Sequence, residues 1–349
     1  MGRNTAIEWT DHSWPVVNGC RRVSAGCENC YAERLIATRL SRQPKYAGLA
    51  QFKYKEEIHT SRRGDSATLR KVERPIGPRW TGESRLWAPD LALPMRVRRP
   101  AKFFVADMGD LFYEKVSDEE IAAVFGVMAV CPQHTFQVLT KRPERMRKWF
   151  EWLSDRYTEN SAVTPAQDCH LFAANYVQTP DENDAPWPLP NVWLGVSIED
   201  QDTADERIPL LLDTPAAVRF ASYEPALGPV DFLHVQWPGR HKVDVLRGGY
   251  WSGKPWGFVN HSDMETIDWV IVGGESGPKA RPFHLEWARS LIEQCEKAGV
   301  AVFMKQLGAR PIESDPEGRL PDINLKLRDA KGGDWDEWPA DLKCRDFPK

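Results

Sequence analysis

No second C-x2-C pair follows the one at Cys27 and Cys30, so the chain lacks the paired half-sites of a four-cysteine zinc site. It also lacks any apolar run of roughly 18 residues, and with it the signature of a membrane-spanning helix. No signal-peptide pattern opens the sequence, and its seven cysteines are an odd number. A disulfide framework is therefore poorly supported, and a reducing, cytoplasmic compartment is expected. No internal repeat at a fixed period is visible.

What the chain does have is a cluster of thiols near its start. Cys20, Cys27 and Cys30 fall in the stretch NGCRRVSAGCENCY, on a loop punctuated by glycine, while Cys131, Cys169, Cys295 and Cys344 stand alone. Thiolates at this spacing can converge on one metal centre, and three leave a coordination position for something other than cysteine. Spacing by itself leaves three readings open: an iron-sulfur cluster, zinc completed by a residue such as His12, or thiols that bind no metal.

At 349 residues with 42% hydrophobic content, the chain is expected to form a soluble barrel-sized domain with insertions, or two domains. A net charge of -4 conceals an asymmetry. Between Arg62 and Lys102 there are eleven Lys or Arg against four acids. Such a local excess points towards an anionic partner.

Nearly all-apolar runs at 103–107, 135–139, 192–196, 218–221, 269–272 and 300–304 read as parallel strands buried on both faces. Helical segments are expected over 32–40, 118–130, 143–153, 200–212 and 285–298. The second of these opens on Ser117 with Glu120 three residues on, a capping-box pattern, and the third begins with Pro143. The alternation predicts repeated βα units, hence an α/β barrel or part of one. Two stretches break the rhythm: a basic one over 41–100 and an acidic, proline-rich one over 155–190. Residues 1–310 are expected to form the barrel unit, and 311–349 a loop-rich C-terminal extension.

Polar residues follow each strand: Asp107-Met108-Gly109-Asp110, Thr140-Lys141-Arg142-Pro143, Ser197-Ile198-Glu199, Ser222-Tyr223-Glu224, Gly274-Glu275-Ser276 with Arg281, and Lys305-Gln306. In a parallel barrel the carboxyl ends of the strands share one rim, so these groups are expected around one cavity. Lys141, Arg142 and Arg281 suit a phosphate, and Glu224, Glu275 and Lys305 suit hydrogen bonding or proton handling.

The run IEWTD, NGC, SAGCENCYAER, MGDLF, LTKRPER, WLGVSIED, SYEPALGP, DWVIVGGESGPKARP and MKQLG resembles a bacteriophage-associated and bacterial family of three-cysteine proteins related to radical S-adenosylmethionine (SAM) enzymes. The resemblance spans most of residues 5–310 outside the two insertions. It implies a partial (β/α) barrel of radical SAM type, with a 4Fe-4S cluster on Cys20, Cys27 and Cys30 and SAM on the fourth iron. It implies reductive cleavage to a 5'-deoxyadenosyl radical, with electrons from an external donor. By position, Met108, Gly109 and Asp110 look like the turn that receives the methionine amino group, and Ser197 and Glu199 like the pair that meets ribose. The chain departs from the commonest signature, since six residues rather than three separate Cys20 from Cys27.

Together with the basic 62–102 segment and its Trp80 and Trp87, the rim makes a nucleotide or nucleic acid the leading substrate. The expected activity is modification, isomerisation or repair of a nucleobase. A zinc-stabilised non-catalytic nucleic-acid-binding module, and a radical enzyme acting on a peptide or small metabolite, are the alternatives.

Overall fold

The computed structural model describes all residues except 1–4, 6, 64–65, 158–162, 181–184, 240–241, 252–257, 262, 315–320 and 349, and the backbone alone at 58–63, 66–70 and 260. Its centre is a seven-stranded sheet, wholly parallel, in which spatial order follows chain order. The strands are β1 (His12–Trp14), β2 (Lys102–Val105), β3 (Thr135–Thr140), β4 (Val192–Ile198), β5 (Val218–Tyr223), β6 (Trp269–Gly273) and β7 (Ala301–Gln306). Each pairs in parallel with the next. The sheet curls into a half-barrel, as the βα alternation predicts.

The α-helices of five or more residues are α1 (Tyr31–Leu35), α2 (Asp118–Ala129), α3 (Pro143–Ser154), α4 (Pro165–Ala174), α5 (Gln201–Leu212) and α6 (Leu285–Ala298) among the described residues. The capping box at Ser117 forms, with Glu120 N donating to Ser117 Oγ and Ser117 N to the Glu120 carboxylate. It satisfies two of the free N–H groups at the start of α2. Alternate strand residues such as Val138, Val196, Val270 and Val302 share one continuous core with the helices. On the other face, Phe220, Trp269, Ile271 and Phe303 pack with Trp9. Aromatic packing thus fills much of the half-barrel away from the helices, with buried Gln137 donating to Trp9 O (3.2 Å) among it.

Six of the seven strands lie where the apolar runs put them. β1 was not among the expected strands, because three residues, HSW, are too short to show a period. The larger differences lie in the insertions. Residues 41–100, expected to be irregular, contain a long antiparallel ribbon of Ala50–Arg63 and Ser66–Trp80. The 155–190 stretch holds α4, opened by a capping box on Thr164 and Gln167.

Among its described residues the C-terminal extension holds two short strands, Pro311–Glu313 and Ile323–Asn324, and two short 3-10 helices, Trp335–Glu337 and Ala340–Leu342. It packs back on the sheet: Met304 N donates to Cys344 O (2.9 Å) and Asp346 N to Val302 O (2.8 Å), covering the outer edge of β7. Among the described residues, no helix is long and apolar enough to cross a membrane.

Candidate active site at the strand ends

All seven strands end on one side of the sheet, and the cysteine loop crosses that side. After β1 the chain runs beside the segment that follows β2, with Gly19 N donating to Met108 O (3.1 Å) and Gly19 bridging Gly109. Gly109 is needed for this approach, because a Cβ there would stand 2.9 Å from both Gly19 O and Val17 O. The close contact expected of this glycine is therefore made with the chain leading into the cysteine loop. Gly109→Ala is expected to push the two segments apart and cost about 1–3 kcal/mol, read as a lowered melting temperature.

The loop is tied to the rim at several points. Arg142, just beyond β3, donates from Nη2 to Arg21 O (2.8 Å) and lies 3.9 Å from Cys20 Sγ. Ser24 Oγ donates to Glu199 Oε1 (2.9 Å), and a Cβ on Gly26 would meet that oxygen at 2.2 Å. Arg281 Nη1 donates to Ala25 O (2.9 Å) while Nη2 and Nε hold both oxygens of Glu275 (2.7 and 3.0 Å). Tyr31 donates its hydroxyl hydrogen to Asp107 O (2.5 Å). Residues after β2, β3, β4 and β6 thus strap one loop across the mouth.

All seven cysteines are free thiols. Burial pushes the Cys20 thiol up to about 12, reinforced by Asp110 and opposed by Arg142, and burial also raises Cys30. Cys27 and Cys30 lie near each other and near Arg22, whereas Cys20 sits beside Arg142. Among the described residues, no three His, Cys, Asp or Glu side chains stand close enough to hold a single metal ion. The three cysteines therefore share a loop and a rim without closing into one ligand group. His12 does not complete a zinc set, because it lies on β1, before the loop, with its ring stacked on Phe103 at 4.9 Å.

The other candidates form linked clusters. Lys141 Nζ donates to Ser197 Oγ and Glu199 Oε1, and Arg207 Nη1 donates to Glu199 Oε2 (3.1 Å). Ser197 Oγ donates to Glu224 O (3.2 Å). The Glu224 carboxylate receives Lys305 Nζ on both oxygens (2.8 Å each) and Gln306 Nε2 (3.2 Å). Asp110 is buried and accepts from Phe112 N (3.0 Å), Thr140 Oγ1 (2.8 Å) and Lys141 N (3.2 Å). Met108 turns its side chain into a small cluster with Ala32, Ile36, Tyr46 and Leu49.

The structure thus brings the strand-end residues together, but it engages several of them in bracing. Arg142 and Arg281, expected to meet phosphate, instead satisfy loop carbonyls. Glu199, expected to meet ribose, has both oxygens taken. Burial favours the neutral form of Glu275, yet the Arg281 side chain and backbone N–H outweigh it and hold this carboxylate below its ordinary range.

Two bracing residues escaped the sequence reading. Glu33, in the first turn of α1, is 1% exposed; it pairs with Arg22 (Nε at 3.1 and 3.0 Å) and accepts from Trp80 N (2.6 Å) at the root of the ribbon. Arg207 is buried within α5 and also donates to Ser197 O (2.6 Å). Each is one charge on a short or amphipathic helix, a pattern that reads as a solvated face.

Asp107 carries a measurable penalty. Burial lifts its carboxyl to about 6, opposed by Ser13 and Lys45, and its Oδ1 is buried without a hydrogen-bond partner. A raised folded-state value means that the folded chain binds this proton more tightly than the unfolded chain. Asp107 therefore lowers stability progressively as pH rises from about 4 to about 6, by about 2–3 kcal/mol in all. Asp107→Asn is expected to raise the melting temperature at pH 7.5 and leave it nearly unchanged at pH 4, as a thermal melt at both pH values will show.

A family model described as "Protein of unknown function (DUF5131)" matches residues 4–339. The chain belongs to this DUF5131 family. The match takes in the cysteine loop, all seven strands and the ribbon, so the rim described above falls wholly within the DUF5131 region. No curated protein and no solved structure matches the chain.

Proposed function

We propose that the chain is a radical SAM enzyme that modifies, isomerises or repairs a nucleobase or nucleotide. The observation that carries this reading is a loop of three free thiols strapped across the carboxyl-end rim of an open parallel half-barrel. Cys20, Cys27 and Cys30 are the residues that would hold a 4Fe-4S cluster. The donor set suits such a group: a cubane takes each thiolate on a different iron, so its ligands need not converge on one ion. Guanidiniums lie alongside, Arg22 near Cys27 and Cys30 and Arg142 near Cys20, ready to offset negative charge. Arg142 Nε is buried without a hydrogen-bond partner. When bound, the cluster and SAM supply reductive cleavage and hydrogen-atom abstraction.

The chain's own residues do the rest. Glu275 and Arg281 hold Ala25, and Glu199 holds Ser24, which fixes the loop above the rim. Lys305 donates from Nζ to both oxygens of Glu224, which sets a hydrogen-bonded Lys–Glu pair at the mouth. Lys141 links the ends of β3 and β4 through Ser197 and Glu199.

The test is air-free purification followed by iron and sulfide analysis, then incubation with dithionite and SAM. Roughly four irons per chain and release of 5'-deoxyadenosine are expected. Colourless protein carrying zinc, with no SAM cleavage, overturns the proposal.

A further inference from the structure

Among the described residues, the ribbon of Ala50–Arg63 and Ser66–Trp80 packs on the rest of the chain at its root. There Leu49, Ala50 and Trp80 pack with Ile36, Tyr46 and Met108, and Glu33 accepts from Trp80 N. Beyond the root its described side chains face solvent: Gln51 to Glu56 on one strand, Lys71 and Glu73 to Ile76 on the other. At about 3.3 Å per residue the arm extends about 45 Å. Residues 50–80 hold eight Lys or Arg against four acids, although the whole chain has a net charge of -4.

The register sorts these groups by face. Gln51, Lys53 and Lys55 alternate with Phe52 and Tyr54, so they point to opposite sides. Lys55 lies opposite Arg74 and Gln51 opposite Arg79, which extends the basic side across both strands. Phe52 and Tyr54 are 40% and 57% exposed, on the side opposite Lys53 and Lys55. The acids do not neutralise the arm firmly. Lys55 and Arg74 pair with the partly exposed Glu57 (3.7 and 3.1 Å) and Lys71 with the exposed Glu56 (3.2 Å), and such surface pairs yield readily to a phosphate. The sequence adds Arg62, Arg63 and Arg70 on the outer half.

We propose that this ribbon is a DNA-binding arm that seats in the major groove of a duplex and holds it beside the mouth. The proposal rests on the nucleobase reading of the mouth only for what is done to the DNA, and not for the binding itself. The major groove of B-form DNA, about 12 Å wide, admits a two-stranded ribbon, whereas the deep, narrow major groove of A-form RNA does not. Lysine and arginine along one face supply the phosphate contacts that dominate affinity and make it salt-dependent.

The test is fluorescence anisotropy with a labelled duplex of about 20 base pairs, its single strand and the matching RNA duplex, over roughly 50 to 200 mM salt. Two variants are compared with the wild type. One carries Lys53→Gln, Lys55→Gln, Arg74→Gln and Arg79→Gln, all on the basic side; the other replaces residues 56–73 by Asn-Gly, closing Lys55 onto Arg74 as a short hairpin. The wild type is expected to prefer the DNA duplex. The glutamine variant should bind it at least about 30-fold more weakly, its salt slope falling by about 0.9 for each phosphate that it no longer neutralises. The shortened variant should lose duplex binding while keeping its melting transition and SAM cleavage. Unchanged duplex affinity in both variants, single-strand or RNA affinity equal to that for the duplex, or displacement of the duplex by polyglutamate at equal charge concentration overturns the arm. Failure of SAM cleavage in the wild type, with duplex binding intact, sinks the active-site proposal and leaves the arm standing.

Discussion

Cys27→Ala protein, purified without air, is expected to hold less than about one iron per chain and to cleave SAM more than about a thousandfold more slowly than the wild type. The reason is the count of donors: a site-differentiated cubane needs three thiolates, and two leave it open to dissociation. Cys27 is partly exposed and its thiol meets Ser24 Oγ at 3.9 Å, so the substitution opens no large cavity. The metal-free variant should therefore melt within about 2 °C of the metal-free wild type. Cys344→Ala, made in the C-terminal tail, should keep both iron and cleavage. Iron assay, visible absorption and chromatography of 5'-deoxyadenosine read all three. Persisting cleavage by the Cys27 variant would remove the cluster assignment.

The second large effect is one of stability. Glu199 is fully buried and receives Ser24, Lys141 and Arg207, while a Cβ on Gly26 would strike it. Glu199→Ala leaves the buried Arg207 guanidinium and the Lys141 ammonium without their shared counter-charge, and it frees the cysteine loop at Ser24. Breaking a buried pair by removing one partner costs about 3–5 kcal/mol. In a chain of this size the melting temperature should fall by about 4–7 °C. Glu199→Gln keeps an oxygen for Ser24 and Lys141 and should lose about half as much. A melting temperature unchanged by Glu199→Ala would mean that the loop is held elsewhere.

The strands were legible because parallel strands covered on both faces carry unbroken apolar runs, as WVIV in β6 and VWLGV in β4 do. The rim followed from topology, since polar residues one step past each run must share an end of the sheet. The ribbon was not legible. Its strands face water on both sides, so Lys53, Lys55, Glu56 and Glu57 replace the apolar alternation that marks a half-buried strand. Pro75 and Pro78 further argue against a strand in sequence and are tolerated because a two-stranded ribbon has free edges. The bracing roles of Arg142, Arg281 and Glu199 were hidden for another reason. A cation that binds a phosphate and one that binds a backbone carbonyl are the same residue, and only the position of the loop separates them.

Glu33 has a mechanical consequence. One carboxylate, 1% exposed, serves Arg22 within the cysteine loop and Trp80 N at the foot of the arm. Withdrawal of Arg22 would strand the Glu33 charge in a dry environment, and withdrawal of Trp80 N would cost that carboxylate a buried hydrogen bond. The two parts therefore behave as a lever on a shared pivot, and a load on the distal end of the arm is felt at the thiols.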